Sequence, residues 1–276
     1  MNKYINVFLH PKKFLKKLIS LNVEHRLKTV LKKELSIPIN KFSEKDIFIV
    51  GYPKSGNTWM QTLATGLLYD VNTEFLSDKL AQEIVPDVHA RLYYRRYGEI
   101  NFFKSHHLPQ KAYRRVIYIV RDGRDAITSY FFYNKLYNSS YSLEDTVKYK
   151  LELFPSKWHE HVKQWLSNPY KSDIIYIRYE DLLNNPETEL KKLCRFIGIK
   201  RDDSVIKRVI KGSTIDKMQE KAKKFGGMGH AGLLGEKGVK FFRKGKIGDY
   251  KNYFSPELLS YFNQEAEKEL KHFKYL

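Results

Sequence analysis

The sequence predicts an α/β fold: a single P-loop-like domain with a mostly parallel central sheet flanked by helices. Three observations predict it. Short apolar, β-branched runs alternate with segments whose apolar residues recur at helical spacing, as in βα units that build a parallel sheet. A tight turn with Gly51 and Gly56 at its ends joins the first clear strand to the first clear helix. The length, 276 residues, with 42% hydrophobic and 14% aromatic content, suits one large domain with a full core, or two small ones.

The elements follow in order. Residues 1–40 form a basic, amphipathic helical segment. Lys12, Lys13, Lys16 and Lys17 interleave with Phe14, Leu15, Leu18 and Ile19, and Leu27, Val30, Leu31 and Leu35 continue the spacing. Two readings stay open: a helix on anionic lipid, contacting membrane through residues 1–35, or a helix packed on the domain with its lysines in water. Pro38 ends this segment, and the main domain spans 41–276. Ile47 to Val50 is a buried strand, and Trp59, Met60, Leu63, Ala64, Leu67 and Leu68 mark a helix after the turn. Residues 71–100 read as irregular. Asn101 to Ser105, Val116 to Val120 and Ile174 to Arg178 are further strands. Ala126, Ile127, Tyr130 and Phe131 mark a helix, and residues 143–166 look helical but are split or kinked at Pro155. Pro186 to Ile197 and Val205 to Ile210 are short helices. Residues 225–245 are a glycine-rich, basic loop, and Ser255-Pro256 opens a C-terminal helix.

The formal net charge is +19, which favours anionic partners: a nucleotide, a nucleic acid, a sulfated or phosphorylated acceptor, or a membrane surface. Cys194 is the single cysteine, so neither an intrachain disulfide nor a cysteine-based zinc site is available. Its neighbours Leu190, Leu193 and Ile197 make it a core thiol, which fits a reducing, cytoplasmic setting. No apolar run approaches the ~18 residues that a membrane span needs.

The turn from Gly51 to Thr58 nearly fits the Walker A pattern. Position 57 is Asn where that pattern needs Lys, and a lysine sits inside the loop at Lys54. A nucleoside triphosphatase would lose its β/γ-phosphate contact there. A lysine at the apex instead neutralises a single phosphate or bridging oxygen. Three polar clusters follow strands, at the carboxyl edge where such sheets bind ligands: Lys54 to Thr58, Lys104 to His107 and Arg121 to Ser129. A fourth, Phe241 to Gly245, lies in the glycine-rich loop.

These clusters carry a resemblance. Tyr52-Pro53-Lys54-Ser55-Gly56-Asn57-Thr58-Trp59 resembles the 5′-phosphosulfate loop, YPKSGTTW, of sulfotransferases that use 3′-phosphoadenosine 5′-phosphosulfate (PAPS). Arg121, followed by Ser129 and Tyr130, resembles their 3′-phosphate motif. Arg243-Lys244-Gly245 and Gly248-Asp249-Tyr250-Lys251-Asn252 resemble RKGxxGDWKN. Tyr179-Glu180-Asp181 matches the YED segment, and Lys104-Ser105-His106 resembles KTH. The matches run in family order from about residue 46 to 255.

The resemblance implies transfer of a sulfuryl group from PAPS to an acceptor hydroxyl, or less favourably an amine, leaving PAP and using no metal. The 5′ end would be held by Lys54, Ser55, Gly56, Asn57 and Thr58. The 3′-phosphate would be held by Arg121, Ser129, Arg243, Lys244 and the adjoining Phe241 and Gly245, arginine gripping it in bidentate fashion. Trp59 would stack on adenine, Tyr179 and Ser213 would bond the base, and Ile215 and Met218 would line its pocket. An acceptor hydroxyl is a poor nucleophile at neutral pH and needs a general base. Counting from Lys104 selects His106, while counting back from Leu108-Pro109 selects His107; His106 is taken as the base. Lys54 would stabilise the leaving oxygen and Lys104 the transferring sulfuryl group.

The acceptor, a small molecule, glycan or lipid, would meet residues 71–100, 133–145 and 225–240. Tyr93, Tyr94, Tyr133 and Tyr137 suit an aromatic or sugar acceptor, and the arginines an anionic one. Cytosolic members of the family often dimerise through K-x-x-x-T-V-x-x-x-E. Here Ser255-Pro256 replace Thr-Val and Ser260 replaces Glu, so a monomer, or a dimer built elsewhere, is expected. Two rival classes remain: a P-loop kinase or NTPase, and a non-enzymatic basic module for nucleic acid or membrane. The ordered strand-end motifs speak against nucleic acid as the partner.

Overall fold

The computed structural model describes residues 36–135, 140–151, 153–225 and 245–276. The expected N-terminal helical segment lies outside these residues except for its last few positions.

Six strands are present among the described residues: β1 (Ile37–Pro38), β2 (Ile47–Val50), β3 (Tyr93–Tyr94), β4 (Phe102–Ser105), β5 (Arg115–Val120) and β6 (Asp173–Arg178). Four of them form one parallel sheet in the order β4-β2-β5-β6. Every residue of β2 is buried, which is why it reads as a continuous apolar run and not an alternating one. Register places Ile47 beside both Phe102 and Arg115, and Arg115 beside Asp173.

The sheet is covered on both faces. Ile47, Ile49, Ile117, Ile119 and Ile177 face α1 (Asn57–Tyr69), α7 (Pro186–Ile197) and α8 (Asp203–Lys211). Cys194 is buried on this side, as its neighbours predict. Phe48, Val50, Val116, Tyr118 and Val120 face α3 (Gly123–Lys135), α4 (Leu143–Tyr149), α5 (Trp158–Ser167), α10 (Pro256–Glu265) and α11 (Glu267–His272). The helical stretch expected over 143–166 is split into α4 and α5 around Pro155. Ser255 caps α10 by accepting the Leu258 N–H at 3.1 Å, with Pro256 at the helix start.

Residues 71–100 differ from the irregular segment expected. They contain α2 (Asp78–Ile84), capped by Ser77, and β3, which pairs antiparallel with β1. Tyr94 is buried and donates its hydroxyl to the Lys41 carbonyl, so it belongs to the core and not to an acceptor pocket. The remaining elements are α6 (Tyr179–Asn184), α9 (Ile215–Phe225) and a 3-10 turn at Asp249–Asn252. Among the described residues no helix is long and apolar enough to cross a membrane. The strands of the main sheet end on the same edge, β2 and β4 at Val50 and Ser105 and β5 and β6 two residues further on at Val120 and Arg178, and the loops beyond that edge carry the polar clusters.

Candidate active site

The loop from β2 to α1 is fixed from below. Tyr52 is buried and its hydroxyl donates to the Ser156 carbonyl at 3.1 Å. The Ser55 N–H closes a turn onto the Tyr52 carbonyl at 3.1 Å. Lys54 and Gly56 take positive φ, 70° and 104°. At Gly56 a Cβ would meet the Tyr179 ring at 2.9 Å, so only glycine fits between loop and ring. Along the loop Lys54, Gly56 and Thr58 keep exposed surface while Ser55, Asn57 and Trp59 are buried. The first N–H groups of α1 have no intrahelical acceptor and open onto this loop, where the helix dipole favours an anion.

Asn57 stands where a Walker lysine would. Its amide turns back on the loop, donating to the Tyr52 carbonyl at 3.1 Å. It braces the turn and offers no cation to a γ-phosphate. The Lys54 ammonium lies 4.6 Å from the centre of the Tyr133 ring.

His106 sits one residue beyond β4, against the same loop. Its Nδ1 is 2.8 Å from the Gly51 carbonyl. A carbonyl only accepts, so Nδ1 carries the proton and Nε2 keeps its lone pair. The ring is held below its usual proton affinity, first by burial and then by the Lys104 ammonium, so it is neutral at physiological pH. His107 points into a different network. Its Nδ1 is 3.1 Å from the Tyr113 hydroxyl, and its N–H donates to Ser105 Oγ at 3.1 Å. The two side chains bond to different groups, although both rings pack against His89, with centres 5.6 Å away for His106 and 4.2 Å for His107.

Helix α5 pins the backbone under both. His161 Nε2–H donates to the His106 carbonyl at 3.2 Å, and Trp165 Nε1–H donates to the His107 carbonyl at 3.1 Å. The other nitrogen of His161 then accepts the Tyr118 hydroxyl at 2.8 Å.

Arg121 directly follows β5 and ties three segments. It donates to the carbonyls of Lys54 at 3.3 Å and Lys246 at 3.0 Å, and its guanidinium lies 4.6 Å from the Tyr179 ring centre. Its Nε is buried with no partner among the described residues, as are Ser55 Oγ and Ser213 Oγ. Ser129 lies on α3, two turns beyond Arg121, with part of its surface exposed. Trp59 Nε1–H donates to the Ser213 carbonyl at 2.7 Å, and its ring meets Tyr179 edge-on at 5.5 Å. The Tyr179 hydroxyl donates to the Gly245 carbonyl at 3.2 Å, and Ile215 packs on Gly245. Met218 is buried one turn along α9. Lys54, Ser55, Arg121, Trp59, Tyr179, Ser213, Ile215 and Gly245 are therefore brought together from five separate stretches. Phe241, Arg243, Lys244 and Tyr137 lie outside the described residues.

Several residues of this neighbourhood have partners that no local sequence pattern marks. Asp87 forms an ion pair with Lys104 at 3.0 Å, and His89 Nε2 accepts the His106 N–H at 2.8 Å. Both come from the stretch read as irregular, where no periodicity announces them. Asp125 accepts the N–H groups of Gly248 and Tyr250, and Glu180 accepts the Asp122 N–H and the Tyr275 hydroxyl. Burial raises the carboxyl groups of both above their usual range, although Arg121 opposes this at Asp125. Both lie inside motifs the sequence exposes, but their partners are far away in the chain.

The sequence matches the sulfotransferase domain family over residues 44–274. Sulfotransferase 1B1 of Mus musculus is 28% identical over 247 residues, covering 82% of this chain and 82% of that protein. Sulfotransferase 2A1 of Rattus norvegicus is 27% identical over 263 residues, covering 87% and 90%. The backbone is similar to that of a mouse sulfotransferase complexed with PAP, with a TM-score of 0.62, 22% identity and coverage of 83% and 86%. It is also similar to retinol dehydratase in complex with androsterone and inactive cofactor PAP, with a TM-score of 0.65, 21% identity and coverage of 84% and 82%. At these identities the structural likenesses speak for the fold.

Proposed function

The chain belongs to the sulfotransferase family and is a PAPS-dependent enzyme, and on that premise we propose that it sulfates a hydroxyl of a small acceptor with His106 as general base. The observation that carries this reading is the contact between His106 and the anion loop itself. With Nδ1–H tied to the Gly51 carbonyl, the free lone pair is on Nε2, and the ring is neutral. A neutral histidine fixed on the loop that receives the 5′ end is ready to take a proton from an acceptor hydroxyl.

The residues present fit the co-substrate. Ser55 Oγ, Arg121 Nε and Ser213 Oγ are buried polar atoms without partners among the described residues, which is costly in a finished site and suits one awaiting an anion and a base. Lys54, Ser55, Gly56, Asn57 and Thr58 would hold the phosphosulfate, and Arg121 and Ser129 the 3′-phosphate. Arg243 and Lys244, with Phe241 and Gly245, complete that part of the proposal. Trp59, Tyr179, Ser213, Ile215 and Met218 would receive the adenine. PAPS supplies the activated sulfuryl group. Lys54 stabilises charge on the departing oxygen, Lys104 on the moving group, and His106 takes the acceptor proton.

An acceptor hydroxyl is favoured over an ammonium because Lys54 sets a positive charge in the loop, and the nearby carboxylate of Asp87 is already paired with Lys104. Tyr133, beside Lys54, is the described aromatic that best fits an acceptor wall. A cytoplasmic setting is part of the proposal, supported by the lone buried thiol Cys194; for residues 1–35 the two readings, contact with anionic membrane or a helix packed on the domain with its lysines in water, both stay open.

The test is a screen of hydroxyl and amine acceptors with labelled PAPS, run on the wild type, His106→Ala and His107→Ala. Transfer is expected from PAPS and lost in His106→Ala, with PAP still raising its melting temperature. His107→Ala is expected to be the milder change. The opposite ranking moves the base to His107. Magnesium-dependent ATP turnover without PAPS use would favour the kinase reading.

A further inference from the structure

Residues 86–89 lie along the outer side of β4 and grip the strand end that carries the catalytic pair. The Lys104 N–H donates to the Pro86 carbonyl at 3.0 Å, and the Val88 N–H donates to the Lys104 carbonyl at 3.0 Å. This parallel bridge sets Asp87 directly beside Lys104. Their side chains meet at 3.0 Å, with only 10% and 13% of their surfaces exposed. Asp87 also accepts the His89 N–H at 2.9 Å, and His89 accepts the His106 N–H at 2.8 Å. The His89 and His106 rings stack with centres 5.6 Å apart. Burial opposes ionisation of Asp87, but the Lys104 ammonium and the hydrogen bond from the His89 N–H hold its carboxyl below the usual range.

We propose that Asp87 is a positioning residue that holds the Lys104 cation in the resting enzyme, so that Lys104 must leave Asp87 to meet the sulfuryl group of PAPS. This rests on the role given to Lys104 in the proposed function. A buried ammonium needs a counter-ion, and Asp87 supplies it while the sulfuryl site is empty. The exchange of one anion for another lowers the net gain from binding PAPS. PAP, which lacks the sulfuryl group, leaves the Lys104–Asp87 pair intact. The pair therefore acts on the difference between the two nucleotides, weakening the ground-state hold on PAPS and leaving the hold on PAP unchanged. Lys104 is then free to form its strongest contact as charge moves during transfer.

The experiment is calorimetric titration of the full chain with PAPS and with PAP, in the wild type, Asp87→Asn, Lys104→Met and the double variant. Asp87→Asn keeps an acceptor for the His89 N–H and removes the charge. It is expected to raise PAPS affinity on the order of tenfold while leaving PAP affinity unchanged. Lys104→Met is expected to lower the PAPS-to-PAP ratio, and adding Asp87→Asn to it is expected to change the ratio no further. Asp87→Ser, which retains a hydroxyl acceptor, carries the same test if Asp87→Asn does not fold. An unchanged ratio in both Asp87 variants, or a gain that persists without Lys104, overturns the inference while leaving the proposed function intact. Failure of the wild type to bind PAP overturns the proposed function and the inference with it.

Discussion

Asp125 Oδ1 accepts the Tyr250 backbone N–H at 2.9 Å, joining the start of α3 to the C-terminal glycine motif across 125 positions of sequence. Its second oxygen accepts the Gly248 N–H at 2.8 Å and lies 3.8 Å from Arg121 Nη2. One buried carboxylate thus fixes both the arginine assigned to the 3′-phosphate and the segment that follows Gly245.

Asp125→Ala is expected to remove both anchors at once. It leaves two backbone N–H groups without acceptors and Arg121 without its neighbour, so stability falls by about 2 kcal/mol. PAP affinity falls as well, because the C-terminal side of the 3′-phosphate site loses its hold. Denaturant melts and calorimetry measure the two effects. Full PAP affinity in a destabilised variant would confine Asp125 to the fold.

Arg121→Ala tests the 3′ site directly. The guanidinium already has its Nη atoms on the carbonyls of Lys54 and Lys246, with Nε left over in a buried position. A 3′-phosphate is the ligand group that such an arginine grips best. The variant is expected to lose most of the PAP-induced rise in melting temperature. It is expected to lose less for adenosine 5′-phosphosulfate, which lacks the 3′-phosphate. Equal losses for the two nucleotides would remove Arg121 from that site.

Much of this site is legible in the sequence because its residues are local. The turn from Gly51 to Thr58 is one contiguous motif, and β2 and β5 are near-continuous apolar runs because both faces of the sheet are covered there. What is not legible depends on distant partners. The short β3 exists because Tyr93 and Tyr94 pair with Pro38 and Ile37. The helix α2 buries only Ala81 and so shows no apolar stripe. Asp87 and His89 acquire a role only because their segment lies along β4, and the anchoring role of Asp125 appears only when Tyr250 is brought to it.

Acid sensitivity should report on His161. The ring is wholly enclosed, and burial holds its proton affinity down, to a pKa of about 4 against a usual 6.5. Both nitrogens are occupied in the neutral form, by Tyr118 and by the His106 carbonyl. In the unfolded chain the same imidazole takes a proton near its usual value. Between those two values the unfolded state binds more protons, so the contribution of His161 is complete above 6.5 and is lost as pH falls. The loss from pH 6.5 to 5 is about 2 kcal/mol. Chemical denaturation at pH 7 and pH 5 is expected to show a smaller difference in His161→Gln than in the wild type. Identical differences would place the titration elsewhere.

The final expectation concerns assembly. Lys251 lies exposed in the 3-10 turn Asp249–Asn252, and α10 begins five residues later at Pro256. The Ser255 hydroxyl accepts the Leu258 N–H, so its side chain is committed to capping the helix. Pro256 has no N–H to offer a partner strand, and Ser260 brings no charge to meet a lysine across a two-fold axis. Leu258 is buried in the same core as Phe262 and is not available as an interface contact. The family's dimer segment thus lacks its backbone donor and its acidic partner here. Light scattering at micromolar concentration is expected to give the mass of a monomer, and Lys251→Glu is expected to leave that mass unchanged. A dimer that this substitution dissociates would show that the segment pairs despite the proline, with Lys251 finding an acceptor other than residue 260.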